Sequence, residues 1–101
     1  MKRYKVYTKE KGIIKTNKYS EFIGLNMHRT DGPAFICYYD NGNVEYEKYY
    51  VNGKSHKLDG PAYIEYERNG NIVYESYYIY GNRYKKNEYY NELLKLKVQS
   101  L

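Results

Sequence analysis

Two histidine–aspartate pairs are the residues of this chain whose types and spacing suggest chemistry. His28 precedes Asp31 by three positions, and His56 precedes Asp59 by the same interval. Imidazole and carboxylate groups are frequent partners in acid–base catalysis, and both bind metals. Each pair, however, leads directly into Gly-Pro, where an aspartate bonds turn backbone and proline fixes the start of a strand. We therefore interpret the pairs as structural, and their separation matches no recognised metal-ligand spacing.

The other candidate reactive group is Cys37, the single cysteine of the 101 residues. A cysteine nucleophile needs a base and an electropositive setting. Cys37 has no histidine close in sequence and falls within an apolar, strand-like run. The glycines fit turns, and no phosphate-cradling pattern occurs among them. The sequence therefore predicts a protein that is not an enzyme and that uses no cofactor or metal.

Both histidine–aspartate pairs belong to a 28-residue segment that occurs twice in succession, at 28–55 and 56–83. The shared turn motif comprises His28, Asp31, Gly32 and Pro33 in the first copy and His56, Asp59, Gly60 and Pro61 in the second. Fifteen of the 28 positions are identical, which indicates an array of small units that bury apolar surface against one another. Residues 1–27 resemble a degenerate copy at an offset of 30. We expect a single domain over 1–101, with 84–101 outside the repeat.

Each copy is predicted to form two strands joined by an Asn-Gly turn, because Asn-Gly between runs of Tyr, Ile and Val is a strong hairpin signal. The predicted strands are 34–39, 43–51, 62–67 and 71–79. Positions that recur exactly in the first strand, at Ala34, Ile36 and Tyr38, are expected to form a buried ladder, since side chains alternate faces along a strand. A change of apolar parity near Lys48 and Ser76 predicts a bulge or bend.

A helix is predicted after the repeats, over 87–98. Asn87 is a suitable N-cap, and Glu88 suits the first turn. A stripe on this helix is expected to close the open end of the sheet, and it consists of Tyr90, Leu93, Leu94 and Leu101. The predicted fold class is therefore all-β: an antiparallel meander of stacked β-hairpin repeats with about six strands, capped by one C-terminal helix.

Positions at which the two copies differ supply the candidate protein-binding residues, which are Phe35, Cys37, Tyr39 and Tyr63. The first three form an apolar strip, whereas the second copy carries a tyrosine and two glutamates at the corresponding positions. Two alternatives remain open for this strip. It is either an exposed patch that needs a partner, or core that the N-terminal strands or the C-terminal helix cover.

The net charge of +5 is unevenly distributed along the chain. Residues 1–27 carry +5, residues 28–83 carry −2 and residues 84–101 carry +2. The candidate residues for binding nucleic acid or an acidic partner are Lys2, Arg3, Lys5, Lys9 and Lys11. Lys15 and Lys18 continue this basic run, and Tyr4, Tyr7 and Tyr19 lie between the cations, as in nucleic-acid footprints. The alternative, which we favour, is an edge strand whose lysines block unwanted sheet pairing.

The order His-[Arg/Lys]-x-Asp-Gly-Pro-Ala, a hairpin and Tyr-Tyr-x-x-Gly resembles the MORN-like repeats of some bacterial, phage and giant-virus proteins. The first part of this pattern occupies 28–34 and 56–62, and the clear resemblance covers 28–83. It implies stacked antiparallel hairpins, a short terminal helix and a binding or scaffolding role. It implies no common activity.

The expected function is that of a non-enzymatic protein–protein interaction module with a larger protein partner. Small single-cysteine domains of this kind are frequent among phage-encoded inhibitors of bacterial defence nucleases, so a CRISPR-type nuclease or its nucleoprotein complex is the expected partner class. Two alternatives stay open: RNA or single-stranded DNA binding through the basic N-terminal region, and a self-assembling scaffold. No apolar run reaches the roughly 18 residues that a membrane span needs, and no secretory signal is evident. We therefore expect a cytoplasmic protein, located in the host cytoplasm if a phage encodes it.

Overall fold

The computed structural model describes residues 2–99, and within them the chain forms nine strands and one α-helix. The elements are β1 (Arg3–Thr8), β2 (Gly12–Thr16), a 3-10 turn (Tyr19–Glu21), β3 (Phe35–Tyr38), β4 (Val44–Lys48), β5 (Tyr50–Val51), β6 (Lys54–Ser55), β7 (Tyr63–Tyr66), β8 (Ile72–Ile79), β9 (Asn82–Tyr84) and α1 (Lys86–Gln99). Seven strands form one antiparallel sheet in the order β2-β1-β3-β4-β7-β8-β9, and β5 pairs with β6. The predicted architecture, mostly antiparallel β with a C-terminal helix, is confirmed.

The two faces of the large sheet can be defined from its register, because residues directly opposite one another on neighbouring strands share a face. The front face carries Val6, Phe35, Lys48, Tyr63 and Ser76 in one such row. The back face carries Lys15, Lys5, Ile36, Glu47, Ile64 and Glu75 in another. The molecule measures 46 × 33 × 18 Å, so its thinnest dimension holds the sheet and one thin layer of chain.

Two kinds of glycine turn connect the strands. The loops between β3 and β4 and between β7 and β8 contain a left-handed glycine, Gly42 (φ 89°) and Gly70 (φ 94°). The preceding Asn41 and Asn69 instead accept, through Oδ1, the backbone N–H two residues later, at 2.9 and 3.0 Å. The Asn-Gly hairpins are therefore present, but only the glycine uses a positive φ.

The second kind of turn joins β5 to β6 and β8 to β9. Here both loop residues have positive φ: Asn52 and Gly53 at 52° and 77°, Tyr80 and Gly81 at 46° and 85°. Two-residue loops of this conformation match the twist of antiparallel strands. The sequence predicts turns at these points but not the short strands β6 and β9 that return from them. These two strands, and the break at Tyr49 that divides the predicted strand 43–51 into β4 and β5, explain the difference between nine strands and about six.

The second strand of each copy carries one extra residue in its pairing with the first. In β4 the register shift leaves Glu45 without a partner on β3. In β8 it leaves Val73, at the corresponding position, without a partner on β7. The sequence predicts the irregularity near Lys48 and Ser76 instead. At that point β4 ends at Lys48, which is the predicted bend, whereas β8 runs on through Ser76. Only the burial parity changes in β8, since Ser76 and Tyr77 are both buried.

The larger core lies on the front face of β1 and β3. Val6, Phe22, Phe35 and Cys37 form this core, and the rings of Phe22 and Phe35 lie 5.4 Å apart. On the back face Ile36 is 9% exposed, so β3 is buried on both sides. Ile36 of the predicted ladder is thus buried, but Phe35 and Cys37, which lie on the other face of the strand, are buried as well. For the apolar strip, the core alternative applies to Phe35 and Cys37, which present no free surface because the N-terminal part of the chain covers them.

The N-terminal hairpin does not follow the strand order of the repeats. In the repeats, the second strand of one copy (β4) pairs with the first strand of the next (β7). A degenerate copy over 1–27 would therefore place β2 next to β3. Instead β1 pairs with β3, and β2 forms the edge of the sheet. The chain then returns across the front face, where Phe22 is 2% exposed.

The C-terminal helix begins one residue before Asn87, the predicted N-cap. Glu88 Oε1 accepts the backbone N–H of Lys85 at 3.1 Å, which satisfies a donor at the start of the helix. Tyr89 is fully buried against Tyr77 and Ile79 of β8.

The stripe predicted on this helix differs from the face that packs. Of its members, Leu93 packs against the core of β8, whereas Tyr90 and Leu94 are exposed, and Leu101 lies outside the described residues. The helix meets β8 through Tyr89, which the predicted stripe omits. The apolar spacing is compatible with either face, and only the position of β8 selects between them.

Candidate functional site

The histidines of the turn motif make the same contact in both copies. His28 Nδ1 accepts the backbone N–H of Asn52 at 2.9 Å, and His56 Nδ1 accepts that of Tyr80 at 2.9 Å. Both donors belong to the left-handed loop residues of the two-residue turns. Tyr80 also stacks on the His56 ring at 3.9 Å, and burial lowers the pKa of His56. Each imidazole therefore holds a strained turn closed within its own copy.

The aspartates of the motif have different surroundings in the two copies. Asp31 Oδ1 accepts Nε of Arg29 at 2.9 Å, and Arg29, more than the backbone N–H of Asp31 itself, lowers the pKa of Asp31. A side chain at Gly32 would collide with the same guanidinium. In the second copy the buried Gly60 N–H donates to the hydroxyl of Tyr89, 3.2 Å away. The turn is therefore supported by Arg29 in the first copy and by Tyr89 of the helix in the second.

Cys37 is an inert thiol in this environment. Its side chain is 0% exposed and its Sγ lies 3.8 Å from Oε1 of Glu45. Burial raises the pKa of Cys37, and the Glu45 carboxylate adds to that effect. The thiol therefore stays protonated and donates to Glu45. Among residues 2–99, no group of three His, Cys, Asp or Glu side chains is placed to hold a metal ion.

A basic groove lies at the end of the sheet where β1 begins and β2 ends. Lys5 of β1 and Lys15 of β2 are directly opposite each other, and both line the groove with Arg3. Tyr4 and Tyr38 also line the groove, although the Tyr4 ring packs against Phe22 of the front-face core, and the volume is about 670 Å³. Like charges opposite each other on neighbouring strands are destabilising. Among the described residues neither lysine forms a salt bridge.

The other predicted basic residues lie elsewhere. Lys2 Nζ forms a salt bridge with Glu45 at 3.0 Å, and Lys9 and Lys11 are exposed in the turn between β1 and β2. Of the basic run, the structure thus brings together Arg3, Lys5 and Lys15.

A second cationic region lies on the front face, where the two copies meet. Lys48 projects over aromatic rings, with its Nζ 5.5, 5.6 and 5.4 Å from the ring centres of Phe35, Tyr46 and Tyr63. It lines a small pocket with Arg83. Sequence reasoning named Tyr63 but missed Lys48, although the replacement of Lys48 by a serine in the second copy was visible.

Two of the candidate protein-binding tyrosines use their hydroxyls within the fold. Tyr39 donates to the backbone carbonyl of Tyr66 at 2.6 Å, which ties the first copy to the second. Tyr63 donates to Glu65, and burial together with that contact raises the pKa of Tyr63. Both rings remain half-buried, so each still contributes to the surface.

Within the part of the chain that the structure describes, no helix combines the length and the apolarity needed to cross a membrane. Comparison of the chain with protein families, with characterised proteins and with solved structures finds no match.

Proposed function

We propose that the chain is a non-enzymatic protein–protein interaction module that contacts an acidic surface of a larger protein through the basic groove. The observation that carries this proposal is the pair formed by Lys5 and Lys15. Two lysines at directly opposite strand positions, beside Arg3 and with no salt bridge among the described residues, cost stability in the free protein, although the Lys5 ammonium lies over the Tyr7 ring at 5.5 Å. An acidic partner would remove that cost, and complementary charge also raises the association rate.

The charges along the back face favour a protein over a nucleic acid. The row that begins with Lys15 and Lys5 continues across the sheet to Glu47 and Glu75. A polyphosphate chain that followed this row would meet carboxylates, and Glu21 lines the groove itself. A folded protein can place acidic residues over the lysines and other groups over the glutamates.

A single-stranded nucleic acid is the second candidate for the same groove. Tyr4 and Tyr38 lie beside Arg3 in its lining, and bases stack on aromatic rings while cations bind the backbone. This candidate predicts a much steeper salt dependence than a protein contact does, because phosphates release counterions on binding.

The proposal includes MORN-like units and a defence nuclease as the partner. The matching contacts of His28 and His56, 28 residues apart, support a common unit. A nuclease, or its complex with a guide nucleic acid, is the partner class expected from the small size and single cysteine of the chain. The basic groove supports a contact with an acidic part of such a complex.

Lys15→Glu provides the test, and Lys11→Glu is its matched control, since both change the charge by the same amount and Lys11 is exposed in the turn. Binding would be measured by fluorescence anisotropy with a labelled peptide rich in aspartate and glutamate and with a labelled single-stranded oligonucleotide. We expect Lys15→Glu to weaken peptide binding at least about tenfold while raising the free energy of unfolding by about 0.2–1 kcal/mol, because the introduced carboxylate would pair with Lys5.

Equal losses in Lys15→Glu and Lys11→Glu would contradict the proposal, since the effect would then follow net charge alone. Tight oligonucleotide binding that falls steeply with salt and is lost in Lys15→Glu would establish the nucleic-acid candidate instead. Light scattering over a range of concentrations would show whether the chain assembles with itself.

A further inference from the structure

The front-face pocket where the two copies meet has the composition of an anion site. Its volume is about 280 Å³, and four tyrosines, two serines, Lys48 and Arg83 line it. No carboxylate is among these lining residues. The pocket is formed by residues of both copies, with Lys48 on β4 of the first and Arg83 on β9 of the second.

Lys48 is the half-buried cation at the floor of this pocket. Its Nζ lies within 5.4–5.6 Å of three ring centres, and among the described residues it forms no salt bridge. Burial lowers the pKa of Lys48, while the nearby Glu65 acts in the opposite direction. A charged group that has lost water without gaining an anionic hydrogen-bond partner is costly, and an anion that enters the pocket would offset that cost.

Arg83 supplies the second cation. Its Nη2 donates to the hydroxyl of Tyr74 at 2.7 Å. A guanidinium has five N–H donors in a fork that matches the geometry of a carboxylate. Glu65 lies near Lys48 and accepts the hydroxyl of Tyr63, so the two cations exceed this one acid in charge.

We propose that this pocket binds a carboxylate, supplied by an aspartate or glutamate side chain of the protein partner, between the Lys48 ammonium and the Arg83 guanidinium. The volume suits one short acidic side chain and is small for a nucleotide. The tyrosines around the pocket supply the rigid contact area that is typical of interaction hot spots. The inference rests on the proposed role as a protein-binding module, but it concerns a separate site that lacks Arg3, Lys5 and Lys15.

The probe is a short capped peptide whose only charge is one central glutamate, and its counterpart carries glutamine instead. Each would be titrated into the full chain while backbone amide and Lys48 Cε shifts are followed by NMR. We expect the glutamate peptide, and not the glutamine peptide, to shift Ser55 and Ser76 amides and to raise the pKa of Lys48. Lys48→Met should lower the affinity for the glutamate peptide at least about tenfold. Lys54→Met, at an exposed position of β6, should leave that affinity unchanged.

Arg83→Gln is the second variant, because Arg83 is exposed and its replacement does not disturb packing. Arg83→Gln should also lower the affinity for the glutamate peptide, whereas Lys15→Glu should not. The proposal for the basic groove and the proposal for this pocket can therefore fail independently. Equal shifts with both peptides, or unchanged affinity in Lys48→Met and Arg83→Gln, would overturn the proposal. Acetate that binds as tightly as the glutamate peptide would overturn the assignment to a protein partner.

Discussion

The two copies of the 28-residue segment share 15 identical residues but differ in what covers them. Cys37 in the first copy is 0% exposed beneath Val6 and Phe22. Its counterpart in the second copy, Glu65, is half-buried and accepts the Tyr63 hydroxyl. The identical residues form the hairpins and turns that the two copies share. At the differing positions, the type of side chain matches the burial that the neighbouring element imposes on that copy. The environment of a repeat position is therefore set by the adjoining element as much as by the repeat itself.

The flanking segments explain this difference. The segment that follows β2, which includes Phe22 and Leu25, packs on the front face beside the first copy, and α1 packs on β8 of the second. Even the equivalent turns are held differently, with Arg29 beside Gly32 and Tyr89 beside Gly60. Lys48 lies between these two covered regions, which is why it lines an open pocket.

The largest expected effect comes from placing the second copy's residue in the first. Cys37→Glu would bury a carboxylate beside Glu45 in a fully enclosed site, and we expect a loss of at least about 3 kcal/mol in the free energy of unfolding. A small domain has little more stability than that, so urea unfolding should show a largely unfolded chain at room temperature.

The reverse exchange, Glu65→Cys, is the matched control. It removes the hydrogen bond from Tyr63, so we expect a loss of about 0.5–1.5 kcal/mol. If both exchanges cost the same, the two copies would have equivalent environments and the comparison would fail.

An intermediate effect is expected where α1 holds the second copy. Tyr89→Phe would leave the buried Gly60 N–H and the Lys57 carbonyl without their partner, at a cost of about 1–3 kcal/mol. Thermal or urea unfolding would measure it. Leu94→Ala, on the exposed side of the same helix, should change stability by less than about 0.5 kcal/mol. A similar loss in both variants would show that the hydroxyl of Tyr89 has no special role.

The smallest effect concerns pH. Burial lowers the pKa of His56 in the folded state, so the unfolded chain binds the proton first as pH falls. The free energy of unfolding contributed by this residue is therefore present above about pH 6.5 and is lost as pH falls through the folded-state pKa. His56→Asn keeps an acceptor for the Tyr80 N–H but does not titrate. Urea unfolding at several pH values should show a shallower fall for the variant, and parallel curves would contradict the assignment.

Much of the fold followed from local sequence signals. The hairpins of each copy, the glycine turns and the C-terminal helix were predictable because Asn-Gly, alternating apolar residues and helix-end signals act over a few residues. The short strands β6 and β9 were missed because two or three residues carry no periodicity. The basic groove was partly predicted: Arg3, Lys5 and Lys15 all belong to the basic run, but only the register of β1 with β2 places Lys15 beside Lys5.

The amino-acid sequence by itself determined the repeating hairpin, since turn chemistry and strand propensity are properties of neighbouring residues. Tertiary structure alone decided that β1 rather than β2 pairs with β3, because either edge of a hairpin offers the same backbone hydrogen bonds. That choice, with the return of the chain over the front face, buries Phe35 and Cys37 and leaves Lys48 at an open pocket. Burial depends on which surfaces meet across the sheet, and contacts between residues so distant in sequence leave no local pattern to read.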